Sequence, residues 1–176
     1  MPTVYTIGHS NQLLSAFLEK LEAHGITHVV DVRTIPKSRH VPWSNQKPLI
    51  SVLQKKKIAY THMPELGGLR HPHSNSINEG WRNASFRGFA DYMQTSAFYQ
   101  ALKKLNQIIK KGKTVIMCAE ALPWRCHRSL IADAEVIRNI KVLHIMGATS
   151  VKEHDLTDFA RVDRSKRPFK VYYPSP

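Results

Sequence analysis

A chain of 176 residues with 42% apolar and 22% charged content can build a hydrophobic core of its own, so neither a disordered chain nor a disulfide-stapled miniature is expected. Its 26 lysines and arginines against 13 acidic residues leave a formal charge of +13, which argues against a cationic partner and for an anionic ligand such as nucleic acid or a nucleotide. No apolar run is long enough to span a membrane, no secretory leader precedes the first strand-like segment, and the two cysteines make no disulfide framework. A cytoplasmic protein without membrane contact is the expectation.

Val4 to Gly8 has strand composition and stops at a glycine. His9, Ser10 and Asn11 then offer capping side chains ahead of Leu14, Phe17, Leu18 and Leu21, which share one helical face, and Gly25 is placed to end that helix. His28 to Val32 reads as a second buried strand, followed by the polar segment Arg33 to His40. A short helix from Pro48 to Lys57 and a strand from Ile58 to His62 come next. From Met63 to Asn83 apolar periodicity is lost, and a loop of that length is expected to be functional or mobile.

One long amphipathic helix is expected from Phe86 to Lys111, with Phe89, Met93, Phe98, Leu102, Leu105 and Ile109 inward and Gly112 at its cap. Thr114 to Cys118 is the clearest buried strand. A helix from Cys126 to Asn139 and a strand from Lys141 to Ile145 follow. Strands alternating with helices predict an α/β fold, a single Rossmann-like domain with a mostly parallel sheet flanked by helices. That domain is placed at 1–156. Residues 157–176, basic and carrying Pro168, Pro174 and Pro176, read as an extended C-terminal arm.

Four ordered motifs stand out: Thr6-Ile7-Gly8-His9-Ser10, Val30-Asp31-Val32-Arg33 with Pro36 and Ser38-Arg39, Glu65-Leu66-Gly67-Gly68, and Cys118-Ala119-Glu120 with Cys126-His127-Arg128. In these the chain resembles the family catalogued as domain of unknown function 488. The resemblance runs over nearly the whole length and implies a small α/β domain of bacterial or archaeal type. It implies no activity, so function rests on the residues themselves.

Each motif follows an expected strand. In a parallel sheet the strand ends share one edge, and the motifs are expected to converge on a cleft there. Arg33, Arg39, Arg125 and Arg128 offer fork-shaped donors for phosphate-like groups, and the helix start near Cys126 adds amides and a dipole. Ser10, Ser38, Gly67, Gly68 and His127 complete the expected substrate-binding set. His9, Asp31 and Glu120 are the acid–base candidates, the alternative for the two carboxylates being to lock arginines in place by ion pairs, while Cys118 and Cys126 are the candidate nucleophiles. Trp43, Trp81 and Trp124, in expected loops, are candidates for stacking on bases.

The stretch from Cys118 to Arg125 superficially imitates a cysteine-phosphatase cradle. Glu120 would repel a phosphate dianion, Pro123 removes an amide donor, and the loop is one residue too long. A rhodanese-like sulfur carrier meets a similar objection. The Cys and His spacing matches no standard metal-binding pattern, and no metal or other cofactor is identified. The leading expectation is an enzyme acting on a nucleotide or nucleic-acid substrate. The alternatives are a noncatalytic nucleic-acid-binding or adaptor module and a small-molecule, thiol-dependent enzyme.

Overall fold

The computed structural model describes residues 1–176. Six strands form the main sheet: β1 (Thr3–Gly8), β2 (His28–Asp31), β3 (Ala59–His62), β4 (Thr114–Cys118), β5 (Lys141–Gly147) and β6 (Ser150–Glu153), in the order β3-β2-β4-β1-β5-β6. All neighbours are parallel except the hairpin of β5 and β6. Five helices flank it: α1 (Leu14–Ala23), α2 (Gln46–Lys55), α3 (Ala84–Tyr92), α4 (Ser96–Ile109) and α5 (Arg128–Val136). The fold is therefore the α/β, Rossmann-like arrangement that the strand–helix alternation implies. No helix is long and apolar enough to cross a membrane.

The pleat of each strand divides its side chains between two cores. Val115 and Met117 of β4 join Ile7, Phe17, Leu21, Leu49 and Leu53 under α1 and α2. Ile116 and Cys118 face the other way, into the larger core built with α3, α4 and α5. Because β4 is buried along its whole length, it reads in the sequence as a continuous apolar run rather than an alternating one.

Several local expectations change. The helix foreseen from Phe86 to Lys111 is two helices. Thr95 takes an extended conformation and its hydroxyl accepts from the Phe98 amide, which ends the first helix's run and caps α4. The expected cap at His9–Asn11 is absent too: α1 starts after Leu13 with no side-chain cap. The helix after Cys126 begins at Arg128, because Cys126 is extended and ends a 3-10 turn over Pro123–Arg125.

The 63–83 segment is tied down rather than loose. The Asp91 carboxylate accepts from the His73 amide, the Ser76 hydroxyl and the Asn78 side-chain amide. Residues 157–176, expected as an extended arm, fold back onto the protein. β7 (Arg161–Asp163) and β8 (Lys170–Tyr172) form an antiparallel hairpin, and Val171 and Tyr173 are fully buried in the larger core. Tyr173 donates its hydroxyl to Asp133 at 2.7 Å, and its amide donates to Asn78 at 2.8 Å. These buried hydrogen bonds hold the segment despite its charge.

Candidate active site

The chain leaves β1 toward β2 on one side of the sheet and leaves β4 toward β5 on the other, so the direction of winding reverses between β1 and β4. At such a reversal the two outgoing loops diverge and open a crevice beyond the strand ends. Gly8 and Cys118 face one another at that point in the ladder. The pairing continues past the strands, the His9 amide donating to Cys118 O and the Ser10 amide to Ala119 O, both at 2.9 Å. Gly8 must be glycine here, because a Cβ would collide with the carbonyl of Glu120 as the loop after β4 crosses over it.

That loop brings the two cysteines together. Their sulfurs are 2.7 Å apart, both as free thiols, and both residues are buried. The side chain of Arg128, in the first turn of α5, points back over the same place and is fully buried. Its Nη1 donates to Cys118 Sγ at 2.7 Å and to Glu120 O, its Nη2 to Ala121 O at 3.0 Å, and its Nε to Thr6 Oγ1 at 3.2 Å. None of the ion pairs in the protein includes Arg128. Arg33, the other buried arginine, has Asp31 as a close counterion.

A buried guanidinium without a carboxylate costs several kcal/mol unless another negative group answers it. Of the groups Arg128 touches, only the sulfurs can ionise. Burial opposes ionisation of Cys126, but the hydrogen bond from the Cys118 thiol, the Arg128 charge and the Arg128 amide outweigh it and bring Cys126 from an ordinary 9.0 to about 7. Burial, together with donation to Cys126, pushes the Cys118 thiol up. On these directions Cys126 is the sulfur that gives up its proton first, with the Cys118 thiol donating to it.

His127 lies against this pair. Its Nε2 donates to Leu66 O at 2.9 Å and to Val32 O at 3.2 Å, which assigns the proton to Nε2; the unprotonated Nδ1 lies 3.5 Å from Cys126 Sγ and makes no hydrogen bond to it once that sulfur is ionised. Burial keeps the ring neutral by lowering its pKa, against the opposing effects of Cys118 and the two carbonyls. Gly68 has no side chain for a plain reason: a Cβ there would lie 2.6 Å from His127 Nδ1.

A pocket of about 330 Å³ opens over the sulfurs, and Cys118, Cys126 and His127 form its inner wall. Ile35, Leu69 and Phe86 supply an apolar side, Lys37 and Arg125 are exposed cations on the rim, and Glu120 is the one carboxylate. The Glu120 carboxylate accepts from the Leu122 amide and so helps to shape the loop.

The remaining expected site residues divide. Arg33 lies in the pocket wall, but its guanidinium is engaged, donating to Asp31 at 2.9 and 2.7 Å and to Ser44 O at 2.8 Å. Asp31 is saturated, since the Arg33 amide and the Tyr60 hydroxyl also donate to it. His9 touches this group, with Nε2 3.4 Å from Arg33 Nη1, and burial lowers its pKa. Arg39 and Ser38 are not in the pocket; they line an adjoining open groove, where the Ser38 hydroxyl accepts from the Val41 amide. Ser10 sits with φ of 52° in the turn after β1, and Gly67 allows close packing on Thr34.

Trp43 and Trp81 pack inside against Phe17 and Phe86, whereas Trp124 is half exposed. No three metal-ligating side chains are arranged to hold an ion. Thr6 contacts Arg128; it opens the first sequence motif but is not among the expected site residues, because a threonine in a strand carries no sign of its partner.

The profile of one family, described as domain of unknown function DUF488, matches residues 13–135. The chain belongs to the DUF488 family. No curated protein and no solved structure matches it. The DUF488 match contains Cys118, Cys126, His127, Arg128 and Asp133. Thr6, His9, His144 and His154 lie outside it.

If Arg128 holds the thiolate, iodoacetamide labelling of Cys126 in this DUF488 protein will be half-maximal near pH 7, with Cys118 labelled far more slowly. In folded Arg128→Met the Cys126 midpoint will rise by at least one pH unit, since the neutral side chain no longer favours the charged sulfur. Two cysteines labelling alike, with a midpoint near 9 in both proteins, would disprove the assignment.

Proposed function

We propose that the protein is a thiol-dependent enzyme in which Cys126 is the nucleophile and Cys118 the resolving thiol, acting on a small anionic substrate in the pocket. The observation that carries this reading is the pair of sulfurs in contact beneath a buried arginine that has no carboxylate partner. A thiolate is the nucleophilic form of cysteine, and one with a pKa near ambient pH combines adequate ionisation with retained nucleophilicity. The rim cations Lys37 and Arg125 favour an anionic substrate, and the Ile35, Leu69 and Phe86 side favours one with an apolar body.

The chemistry that fits two sulfurs in contact is exchange with a disulfide. The Cys126 thiolate attacks one sulfur of the substrate disulfide, forming a mixed disulfide and releasing the other half as a thiolate. Cys118 then attacks Cys126 Sγ, and its proton ends on a departing substrate thiol. The protein is oxidised to a Cys118–Cys126 disulfide as the substrate is reduced to two thiols. A further dithiol from solution reverses the change in the protein. Oxidation removes the thiolate facing Arg128, so the reduced form is favoured and the internal disulfide is readily reduced again by the dithiol that completes the cycle.

Dithiobis(nitrobenzoate), an aromatic disulfide carrying carboxylates, is a direct probe. Cys118→Ala will stop the reaction at the mixed disulfide on Cys126, visible as added mass, whereas the wild type will release both halves and end as an internal disulfide. Lys37→Glu with Arg125→Glu will slow this anionic probe but not neutral dithiodipyridine. Equal rates with both probes, or trapping on Cys118, would contradict the reading.

A second reading, nucleic-acid binding, is favoured by one observation: the open groove beside the pocket is lined by Lys37, Arg39 and Lys47, and Lys37 belongs to both. Its cations are free of ion pairs, unlike Arg33, and would meet phosphates without side-chain rearrangement in the core. Binding to short RNA or DNA should then weaken steeply with salt, fall in Arg39→Glu with Lys47→Glu, and be indifferent to Cys126→Ser. Salt-insensitive binding, or none, removes it.

A further inference from the structure

Arg128 is one end of a hydrogen-bonded chain that runs along the α5 face of the sheet, from β1 to β5, and ends on a buried carboxylate. Thr6 Oγ1, which accepts from Arg128 Nε, lies 2.6 Å from His144 Nδ1 across the β1–β5 pair. His144 Nε2 lies 2.9 Å from His154 Nδ1, and His154 Nε2 lies 2.7 Å from Asp133 Oδ1. Asp133 is fully buried and has no lysine or arginine partner. Its other donors are the Thr157 amide and hydroxyl and the Tyr173 hydroxyl.

With both imidazoles neutral, these contacts allow one consistent set of proton positions. Asp133 can only accept, so His154 carries its proton on Nε2 and accepts at Nδ1. His144 then carries its proton on Nε2 and accepts at Nδ1 from the Thr6 hydroxyl. With its own hydrogen committed, Thr6 Oγ1 presents lone pairs to Arg128 Nε. Burial, the neighbouring His154 ring and the charges of Arg128 and Lys152 bring His144 down to about 3, so it stays neutral near neutral pH.

We infer that Thr6, His144, His154 and Asp133 are positioning residues for the thiol pair, acting by fixing Arg128 against Cys118 Sγ. This rests on the thiol-dependent reading of the site. None of the four touches a sulfur or lines the thiol pocket, so they act only through the guanidinium. Their roles differ. Asp133 sets the tautomer of both imidazoles, the imidazoles carry that orientation across the sheet, and Thr6 holds Nε while Nη1 reaches the sulfur. Every other donor of Arg128 goes to a loop carbonyl or to Cys118 itself, so Thr6 is its one anchor in the sheet besides the sulfur it faces. His144 and His154 also line a cavity of about 290 Å³ behind the Pro123–Arg125 turn, so the relay reaches the surface away from the thiol pocket.

The charged and titratable groups facing Cys126 are Arg128, Cys118 and His127, with Arg33, Lys37, Arg125 and Glu120 in the pocket wall. None of them is altered by changing Thr6. The test is the pH midpoint of Cys126 alkylation in wild type, Thr6→Val and Thr6→Ser, with His154→Leu as a second break at the more accessible end. Thr6→Val is close in shape but offers Arg128 no acceptor, and it will raise the midpoint by about one pH unit, the size of one lost hydrogen bond. Thr6→Ser keeps the hydroxyl and will stay near the wild-type midpoint. His154→Leu will move the midpoint the same way as Thr6→Val, by less. A low wild-type midpoint unmoved in both folded Thr6→Val and His154→Leu would overturn the inference and leave the thiol reading standing. A wild-type midpoint near 9 would overturn both.

Discussion

The arrangement at the strand ends depends on one buried charge. Arg128 is placed in the larger core by the first turn of α5, where it satisfies Thr6, the carbonyls of Glu120 and Ala121, and Cys118 Sγ, and finds no carboxylate. Neutral acceptors satisfy its N–H groups but leave its charge unanswered, and in a low-dielectric interior that charge acts strongly on anything ionisable nearby. The two sulfurs are the only such groups in contact with it. Fold and chemistry are therefore linked: the interaction that closes the loop after β4 over β1 is the same one that draws a negative charge onto the thiol pair.

The sheet supplies the rest of the geometry. The reversal of winding between β1 and β4 opens the crevice, and the pleat turns Cys118 toward the α3–α5 side, where α5 begins. Gly8 and Gly68 each remove a side chain that would otherwise block the loop or His127. The second buried arginine makes an instructive contrast. Arg33 has Asp31 as its counterion and Tyr60 donating to the same carboxylate, so it is an internally balanced unit that shapes one wall of the pocket. Two buried arginines thus do different physical work, depending on whether a carboxylate lies within reach.

Much of this was legible in the sequence. The alternation of apolar strands and amphipathic helices gave away the parallel sheet, and the clustering of Cys118, Cys126, His127 and Arg128 marked the strand-to-helix junction that became the pocket. What the linear pattern could not carry was the direction in which a side chain spends its hydrogen bonds. Arg33 and Arg128 both read as anion ligands because a sequence that offers Asp31 as an arginine partner does not show that it lies beneath Arg33 and that two sulfurs lie beneath Arg128. The Thr6–His144 contact joins residues far apart in the chain, and its only trace is polar residues inside strands. The final segment looked like an arm because β7 and β8 have three residues each, too few to show a period, while its basic composition concealed the burial of Val171 and Tyr173. The break between α3 and α4 did have a signal, a Thr-Ser pair at 95–96, outweighed by the continuous apolar stripe around it.

The central claim is that Cys126 is the sulfur that gives up its proton first, leaving a thiolate beside Arg128 while Cys118 stays a thiol. Carbon-13 NMR of the protein labelled at cysteine Cβ reads the ionisation of each sulfur separately, without a reagent that must enter the pocket. Across pH 5 to 10, the account predicts one Cβ resonance, assigned to Cys126 by its loss in Cys126→Ser, moving with a midpoint near 7 while the Cys118 resonance keeps its thiol position. Both resonances moving together near pH 9, as for ordinary thiols, would contradict it.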